Sequence, residues 1–399
     1  MDSGAVAADG ARSERMAGWA ATMAGRPDQA GIVRAHAGDA LPAIVPASYD
    51  RAAREEIEDR LLAGGATRAR GAGARARPEE PDLLRTCFER DRDRILHSAP
   101  FRRLAGKTQV FVFPRDHQRT RLTHALEVAQ VATAVARAVG LNVALTEAIA
   151  LGHDCGHGPG GHASEDAFAP YLPGGYDHAV WGADVVLAPL NLCAETLDGV
   201  RHHSWSLPSP RSPEGLVVSW ADRCAYCAHD LEDATSAGIV GADQLPDEVT
   251  AVVGHTRSAQ LRAFVGALVA CITETGRVGM RPEPAAALAA LRRFNYERIY
   301  TQPAAAAQGR AVVAVLRGLV DYFAEDPGRL PGGPDQEQDP VRRAVTYVAG
   351  MTDRFAFETA VARLGWDRRR LPRGIDVGGG GPDPAAPAGA AARLSRDVP

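Results

Sequence analysis

Apolar residues recur at helical spacing through most of this chain, and this period restricts its possible folds more than any other feature. Val128, Val131 and Val135 follow His124 at intervals of four, seven and eleven. Residues at these intervals share one face of an α-helix, so the sequence predicts that His124 lies on a buried stripe. Strand signals are few, and the best of them is the short stretch 110–113. The sequence therefore predicts a mostly helical, all-α fold, with helices over 142–153 (Asn142 as N-cap), 215–236, 258–275, 283–300, 309–325 and 340–364.

Composition separates a folded body from two flanking regions. Residues 1–80 are predicted to be an N-terminal extension, largely disordered, with one charged helix over 51–63 and a mobile basic flap over 64–77. Residues 81–240 are the expected catalytic core, and 241–372 a helical C-terminal part of the same body. The Gly-, Pro- and Ala-rich segment 373–399 has little to bury and is predicted to be a disordered tail.

Charge and cysteine content exclude several classes of protein. The formal net charge is −4, so no global basic field indicates nucleic acid or a membrane surface. No apolar stretch is long enough to span a bilayer, and no signal peptide is recognisable. The six cysteines are too scattered for a disulfide framework, and the Cys224/Cys227 pair is typical of helix packing rather than of zinc or redox work. We expect a reduced, cytoplasmic setting, with nucleic acid as no more than a regulatory partner through residues 68–77.

Four residues of metal-ligand type fall on three predicted helices. His153 and Asp154 are adjacent at a helix end, His124 lies upstream and Asp222 downstream. Two imidazoles and two carboxylates bind one divalent cation and leave positions for water and substrate. This mix suits Mn, Mg, Fe, Co or Zn, among which the sequence does not choose.

More titratable residues surround this cluster than one ion can bind. His157, His162 and Glu165 follow within twelve residues of His153, and His178 comes later. Extra histidines beside a metal orient ligands or move protons. A His157–Glu165 dyad would hold the imidazole in one tautomer and raise its basicity, while His162 is assigned a substrate contact.

Residues for an anionic substrate lie beside the ligands. Arg121 comes one helical turn before His124, and Arg223 follows Asp222; guanidinium groups suit phosphate oxygens. Tyr226 and Asp230 lie one and two turns beyond Asp222, on the same helix face. We expect them to contact a sugar and its hydroxyl.

These residues resemble a known family. The order His124, His153-Asp154, Asp222 is similar to that of the HD-domain metal phosphohydrolases, and the stretches 89–98, 101–104, 107–111, 119–124, 225–233 and 350–356 resemble its deoxyguanosine triphosphate triphosphohydrolase branch. The resemblance implies a helical HD-domain fold with a helical C-terminal extension and one divalent metal per site. It also implies water attack on the α-phosphate of a dNTP, giving deoxynucleoside and inorganic triphosphate.

Site roles follow from the resemblance by position. His157 and Glu165 resemble the catalytic pair, and His178 a further active-site histidine. Arg121 and Arg223 resemble phosphate contacts. The resemblance also implies a homo-oligomer and, in some members, activation by bound nucleotides.

One loop departs from the family pattern. HDLGHPPFGH in the family is HDCGHGPGGH here, so Cys155, Gly158 and Gly160 replace leucine, proline and phenylalanine. We expect loss of the phenylalanine to widen the loop that presents His162 and Glu165. Two alternatives to dNTP hydrolysis stay open: another HD-type nucleotide phosphohydrolase or phosphodiesterase, and a dNTP-binding regulator with weak turnover.

Overall fold

The structure, a computed structural model, describes residues 3–23, 25–27, 30–36, 44–114, 117–331 and 339–372. The chain divides into one compact unit over Met1–Ser48 and another over Tyr49–Pro399. The predicted all-α fold is confirmed. Within the described ranges the one sheet is a pair of two-residue antiparallel strands, β1 (Arg26–Pro27) and β2 (Val33–Arg34).

The smaller unit contains a helix that the sequence did not predict, α1 (Ser3–Thr22). Its alanine- and glycine-rich sequence has no sustained apolar period, which is the signal on which sequence-based helix assignment depends. Met16 and Trp19 lie exposed on it. The expectation of a single helix before residue 80 is therefore wrong.

Within its described residues, the regular elements of the larger unit are helices, joined by irregular segments. Its helices are α2 (Arg51–Leu61), α3 (Cys87–Leu96), α4 (Ala99–Arg103), α5 (Arg121–Val139), α6 (Val143–Gly152), α7 (Ala163–Phe168), α8 (His178–Trp181), α9 (Ala194–Arg201), α10 (Pro213–Ser236), α11 (Asp247–Val253), α12 (Arg257–Thr275), α13 (Pro282–Asn295), α14 (Pro303–Glu325), α15 (Pro340–Ala349) and α16 (Asp353–Leu364). One-turn π-helices follow α8 and α13, at Gly182–Val186 and Tyr296–Tyr300.

Two hydrophobic clusters hold these helices together. The first is built on α3, α5, α6, α10, α12 and α13, and Val128, Val131 and Val135 lie in it as predicted. The second joins α7 to α14, α15 and α16. The predicted N-cap is also confirmed, since the Asn142 side chain accepts a hydrogen bond from the Leu145 N–H at 3.1 Å. The segment 340–364, predicted as one helix, forms two. The helix is interrupted at residues 350–352, and Thr352 is the N-cap of α16.

The strand predicted over 110–113 is wrong. This segment has no regular structure, and its nearest pairing is an isolated bridge between Thr108 and Thr120. Phe111 and Val112 are nevertheless buried. Their β-branched and aromatic character reflects burial against other elements rather than a place in a sheet.

Residues 64–77 are held by buried carboxylates and do not form a mobile flap. The Glu214 carboxylate accepts hydrogen bonds from Thr67 N and Oγ1, at 3.0 and 2.7 Å. Arg75 Nη1 donates to Asp91 Oδ1 at 2.7 Å, and Asp91 is fully buried. In the sequence, residues 64–77 resemble a solvated basic stretch. The acidic residues that bind them, Glu214 and Asp91, lie outside the segment.

The domain boundaries are partly reassigned. Residues 49–80, predicted as extension, belong to the larger unit, whereas the boundary between 240 and 241 stays a prediction. The predicted tail 373–399 lies outside the described residues. Among the described helices, none combines the length and apolarity needed to cross a membrane.

Candidate active site

The four predicted metal ligands lie together where three helices meet. His124 comes from α5, His153 and Asp154 follow the end of α6, and Asp222 comes from α10. Asp222 Oδ1 lies 3.0 Å from His124 Nε2 and 3.6 Å from His153 Nε2. Asp154 Oδ1 lies 3.5 Å from His153 Nε2. Four donor atoms therefore converge on one point, as a metal site requires.

The hydrogen bonding of His153 suits a metal ligand. Its Nδ1 donates to the Ala150 carbonyl at 2.6 Å, since a carbonyl only accepts. This fixes the tautomer and leaves a lone pair on Nε2, which is buried without a hydrogen-bond partner among the described residues. Histidines that bind metal ions usually donate their other ring N–H to such a carbonyl or to a carboxylate.

The electrostatics of the cluster also favour a cation. Burial lowers the pKa of His153, but the Asp154 and Asp222 carboxylates outweigh this effect and raise it to about 9. Burial raises the pKa of Asp222, yet the hydrogen bond from His124 Nε2 and the nearby His153 ring hold it well below its usual range. Both carboxylates stay ionised in a buried site, so the donor set fits a divalent metal ion.

Arg121 lies beside the cluster with unsatisfied donors. Its Nη1 donates to Asp154 Oδ2 at 2.7 Å, while Nε and Nη2 are buried without a partner among the described residues. A buried guanidinium with free donors at the edge of a cavity is suited to an anion. The Arg119 guanidinium, by contrast, already forms ion pairs with Glu127, Glu232 and Asp233.

The predicted His157–Glu165 dyad is not formed. Glu165 Oε1 instead accepts from His178 Nδ1 at 2.5 Å. His157 is buried, its Nε2 lies 3.2 Å from Asp154 Oδ1, and its ring stacks on His178 with centroids 3.7 Å apart. The carboxylate on α7 therefore orients the histidine that begins α8.

His162 faces the cavity, and its side chain is the exposed member of this histidine group. Its ring centroid lies 5.0 Å from that of His157 and 5.9 Å from that of His178. Desolvation by the surrounding cavity walls, with the charges of Arg121 and His178 adding to it, lowers the pKa of His162 to about 4. A bound polyphosphate would act in the opposite direction.

Sequence reasoning missed His203. Its Nδ1 donates to the Val200 carbonyl at 2.8 Å, and its Nε2 lies 3.2 Å from His178 Nε2. Its ring centroid is 5.0 Å from that of His153. The adjacent histidines 202 and 203 were the available signal.

A cavity of about 480 Å³ opens above the ligands. The predicted substrate residues line it together: Arg121, His162, Arg223, Tyr226 and Asp230. Their neighbours were not predicted. The Arg223 guanidinium lies 3.4 Å from the ring centroid of Trp205, Tyr226 Oη accepts from Arg292 Nε at 2.8 Å, and Tyr300 Oη donates to Asp230 Oδ2 at 2.5 Å.

The cavity therefore has two ends of different chemistry. One holds the ligands, Arg121 and the histidines, and the other holds tyrosines and Asp230. Burial raises the pKa of Asp230 to about 7, and its Oδ1 has no hydrogen-bond partner among the described residues. Such a site fits a ligand with a polyanionic part and a neutral, hydroxyl-bearing part.

Comparisons with known proteins agree with this geometry. The HD domain family matches residues 121–227, and the phosphohydrolase-associated domain family matches residues 278–361. The chain is 40% identical over 318 residues to a deoxyguanosinetriphosphate triphosphohydrolase-like protein of Caldanaerobacter subterraneus subsp. tengcongensis, covering 76% of this chain and 92% of the relative. Relatives of the same description from Clostridium perfringens and Ruegeria are 39% and 36% identical, covering 70% and 73% of this chain and 87% and 95% of theirs.

Proposed function

Because this chain belongs to the family of deoxyguanosinetriphosphate triphosphohydrolase-like proteins, we propose that it hydrolyses deoxynucleoside triphosphates to deoxynucleoside and inorganic triphosphate. It has the HD domain of metal-dependent phosphohydrolases. The description of its triphosphohydrolase-like relatives implies a nucleotide substrate. The observation that supports the finer proposal is the two-ended cavity. Its charged end has room for a triphosphate beside the metal ligands, and its far end has hydroxyl and carboxyl groups for a nucleoside.

The charged end neutralises the substrate. His124, His153, Asp154 and Asp222 would hold the divalent cation, which supplies Lewis acidity toward a phosphoryl oxygen when bound. In this proposal the buried donors of Arg121 bind the triphosphate, and Arg223, which is stacked on Trp205, is a second phosphate contact. Arginine donors that face developing charge in a dry site lower the barrier more than they would in water.

In this proposal, a histidine beside the metal ligands donates the proton that the leaving group needs. Water attacks the α-phosphorus, the bond from phosphorus to the 5′-oxygen breaks, and that oxygen takes up a proton as the deoxynucleoside leaves. His162 is exposed to the cavity and is the donor in this proposal. Glu165 and His178 form a hydrogen-bonded pair behind it, which holds the local geometry and supplies negative charge.

The nucleoside end determines which substrates fit. Tyr226 lies on the same helix face as Asp222 and is held by Arg292, so its ring forms a fixed wall beside the sugar. Asp230, held by Tyr300, offers an acceptor or, below about pH 7, a donor to a sugar hydroxyl. A fixed ring close to the sugar would disfavour a 2′-hydroxyl.

Product analysis tests the proposal. The purified chain is incubated with each dNTP, alone and in mixtures, with Mn or Mg. We expect deoxynucleoside and inorganic triphosphate in equal amounts, and no release by Asp222→Asn. Phosphate, or a linear nucleotide from a cyclic one, would instead establish the phosphohydrolase or phosphodiesterase alternative. Intact dNTP despite demonstrated binding would establish the regulator.

Assembly and activation stay predictions. A homo-oligomer and a nucleotide activator are implied by the family, and a cytoplasmic location is an expectation from the cysteine pattern of the sequence. The dNTP mixtures test activation, because an activator raises release from a second dNTP above the sum of the separate reactions. Sedimentation of the full chain with and without dNTP tests the oligomer.

A further inference from the structure

We propose that Cys87 and Cys193 form a redox-modification site, in which a peroxide converts the two thiols into a reversible disulfide bond. The site lies outside the candidate active site, and the proposal is independent of dNTP hydrolysis. Cys87 is the first residue of α3, and Cys193 is the N-cap of α9. The two residues are 106 positions apart in the sequence, and both are free thiols.

The two thiols are neighbours in the fold. Cys193 Sγ lies 3.8 Å from the Cys87 carbonyl oxygen. A Cβ added to Gly73 would lie 2.7 Å from Cys87 Sγ and 3.6 Å from Cys193 Sγ, so one neighbouring position touches both sulfur atoms. Hydrogen bonding with the Cys87 thiol, together with burial, raises the pKa of Cys193 well above its ordinary value. The packing of α3 and α9 thus brings together two cysteines that are distant in the sequence.

One buried ion pair holds the backbones of both cysteines. Arg75 Nη1 donates to Asp91 Oδ1 at 2.7 Å. Arg75 Nη2 also donates to the Cys87 carbonyl at 3.1 Å, and Asp91 Oδ2 accepts from the Cys193 N–H at 2.7 Å. Because the same ion pair fixes both backbones, we expect the disulfide bond, about 2.0 Å long, to form by rotation of the side chains. The helices α3 and α9 then keep their positions.

Exposure decides which cysteine reacts first. Cys87 is partly exposed, whereas Cys193 is fully buried. With hydrogen peroxide, the Cys87 sulfur attacks the O–O bond, which gives a sulfenic acid and one water. The Cys193 sulfur then attacks the Cys87 sulfur, and its proton leaves with the hydroxyl group as a second water. Two thiols and one hydrogen peroxide thus become one disulfide and two waters.

The other four cysteines have different surroundings. Cys224 and Cys227 lie on one helix, α10, and both are fully buried. Burial raises the pKa of both of these thiols. Cys155 and Cys271 are also buried, and their Sγ atoms contact backbone carbonyls. Since peroxide attacks exposed thiols first, oxidation should select the pair that contains Cys87.

Peptide mapping after oxidation tests the proposal. The purified full chain is treated with hydrogen peroxide, its remaining thiols are blocked with iodoacetamide in denaturant, and a digest is analysed by mass spectrometry. A glutamate-specific protease separates Cys155 from Cys193, because Glu165 lies between them. We expect a cross-linked pair of peptides that contain Cys87 and Cys193, and the return of both thiols after dithiothreitol.

Cys271→Ser is the matched control, because it removes a buried cysteine outside the pair. This variant should form the same cross-link, whereas Cys87→Ser and Cys193→Ser should form no disulfide. The wild-type map decides the result even where a variant of the pair does not fold. Cys87 recovered as a sulfinic acid without a cross-link would overturn the proposal. A cross-link to another cysteine or to a second chain, or six unmodified thiols, would overturn it as well.

Discussion

At the scale of single residues, the four candidate metal ligands named from the sequence lie together in the structure, whereas Glu165 pairs with a different histidine from the one expected. These ligands converge because α5, α6 and α10 pack against one another. The apolar period of the sequence predicts helices at these positions. Glu165 was paired with His157, eight residues away, and it contacts His178, thirteen residues away. The connecting loop decides this partner, and loop conformation has no periodic signal.

The Glu165–His178 pair leads to the first prediction. Glu165→Gln removes the charge that orients His178, so triphosphate release should fall roughly 10- to 100-fold, a usual cost of losing an outer partner at a metal site. Binding of the metal ion should persist, since the hydrogen bonds of the Glu165 carboxylate among the described residues come from His178 and not from a candidate metal ligand. Asp166→Asn, at an exposed neighbouring carboxylate, should keep full activity. Equal activity of Glu165→Gln and wild type would refute the role of this pair.

The altered loop is packed rather than widened. Gly160 has φ of +73°, and a Cβ added to it would lie 2.4 Å from Val312 Cγ1. The space that loss of the family's phenylalanine was expected to open is thus occupied by a valine of α14, which is fully buried. The expected wider loop is wrong because a distant helix fills the gap.

The second prediction separates this packing from backbone strain. Gly160→Ala should lower the free energy of unfolding by more than Gly175→Ala. Both glycines have φ of +73°, but a Cβ at Gly175 meets nothing within 4 Å. The difference, measured by denaturant unfolding, should be roughly 1–3 kcal/mol. Adding Val312→Ala should recover part of it, and equal losses at the two glycines would contradict the packing explanation.

At the scale of elements, long-range polar contacts tie the two hydrophobic clusters to the site. The Asp353 carboxylate at the start of α16 accepts from Thr108 N and Gly160 N, at 3.0 and 2.9 Å. Lys107 Nζ donates to the His157 and Ala349 carbonyls. These contacts join residues 50 to 245 apart in sequence, so no local pattern predicts them.

The third prediction concerns Lys107. Burial, with Arg103 adding to it, lowers its pKa from 10.5 to about 8. Between these values the unfolded chain binds more protons than the folded chain, so this residue's contribution to stability increases as pH rises. The free energy of unfolding of wild type minus that of Lys107→Met should rise by roughly 2 kcal/mol from pH 8 to pH 10. Parallel curves in denaturant titrations would show that the ammonium is not desolvated.

At the scale of the whole molecule, buried charged side chains join distant segments of the larger unit. Buried carboxylates also tie residues 64–77 to the helices, through Glu214 and Asp91. Each acid has several donors, which offsets the cost of burying its charge. The metal cluster differs, because Asp154 and Asp222 have Arg121 as their only arginine or lysine partner among the described residues.

The fourth prediction follows from this imbalance. A ligand that binds only the folded state adds about 2.7 kcal/mol at 100 times its Kd, so Mn(II) should raise the melting temperature of chelator-treated protein by several degrees. The shift should be largely lost in Asp222→Asn. Scanning calorimetry measures both, and a shift of equal size in the variant would place the stabilising ion elsewhere.

The sequence by itself determined the helical fold class, most of the helix positions, and the identity of residues that meet at one cluster. These properties depend on local periodicity and residue chemistry, which a linear pattern contains. Only the tertiary structure decided that Glu165 holds His178, that His203 joins the cluster, that Val312 fills the altered loop and that residues 64–77 are anchored. Each of these is a contact between side chains on different elements, and its energy depends on distances that exist only after the helices pack.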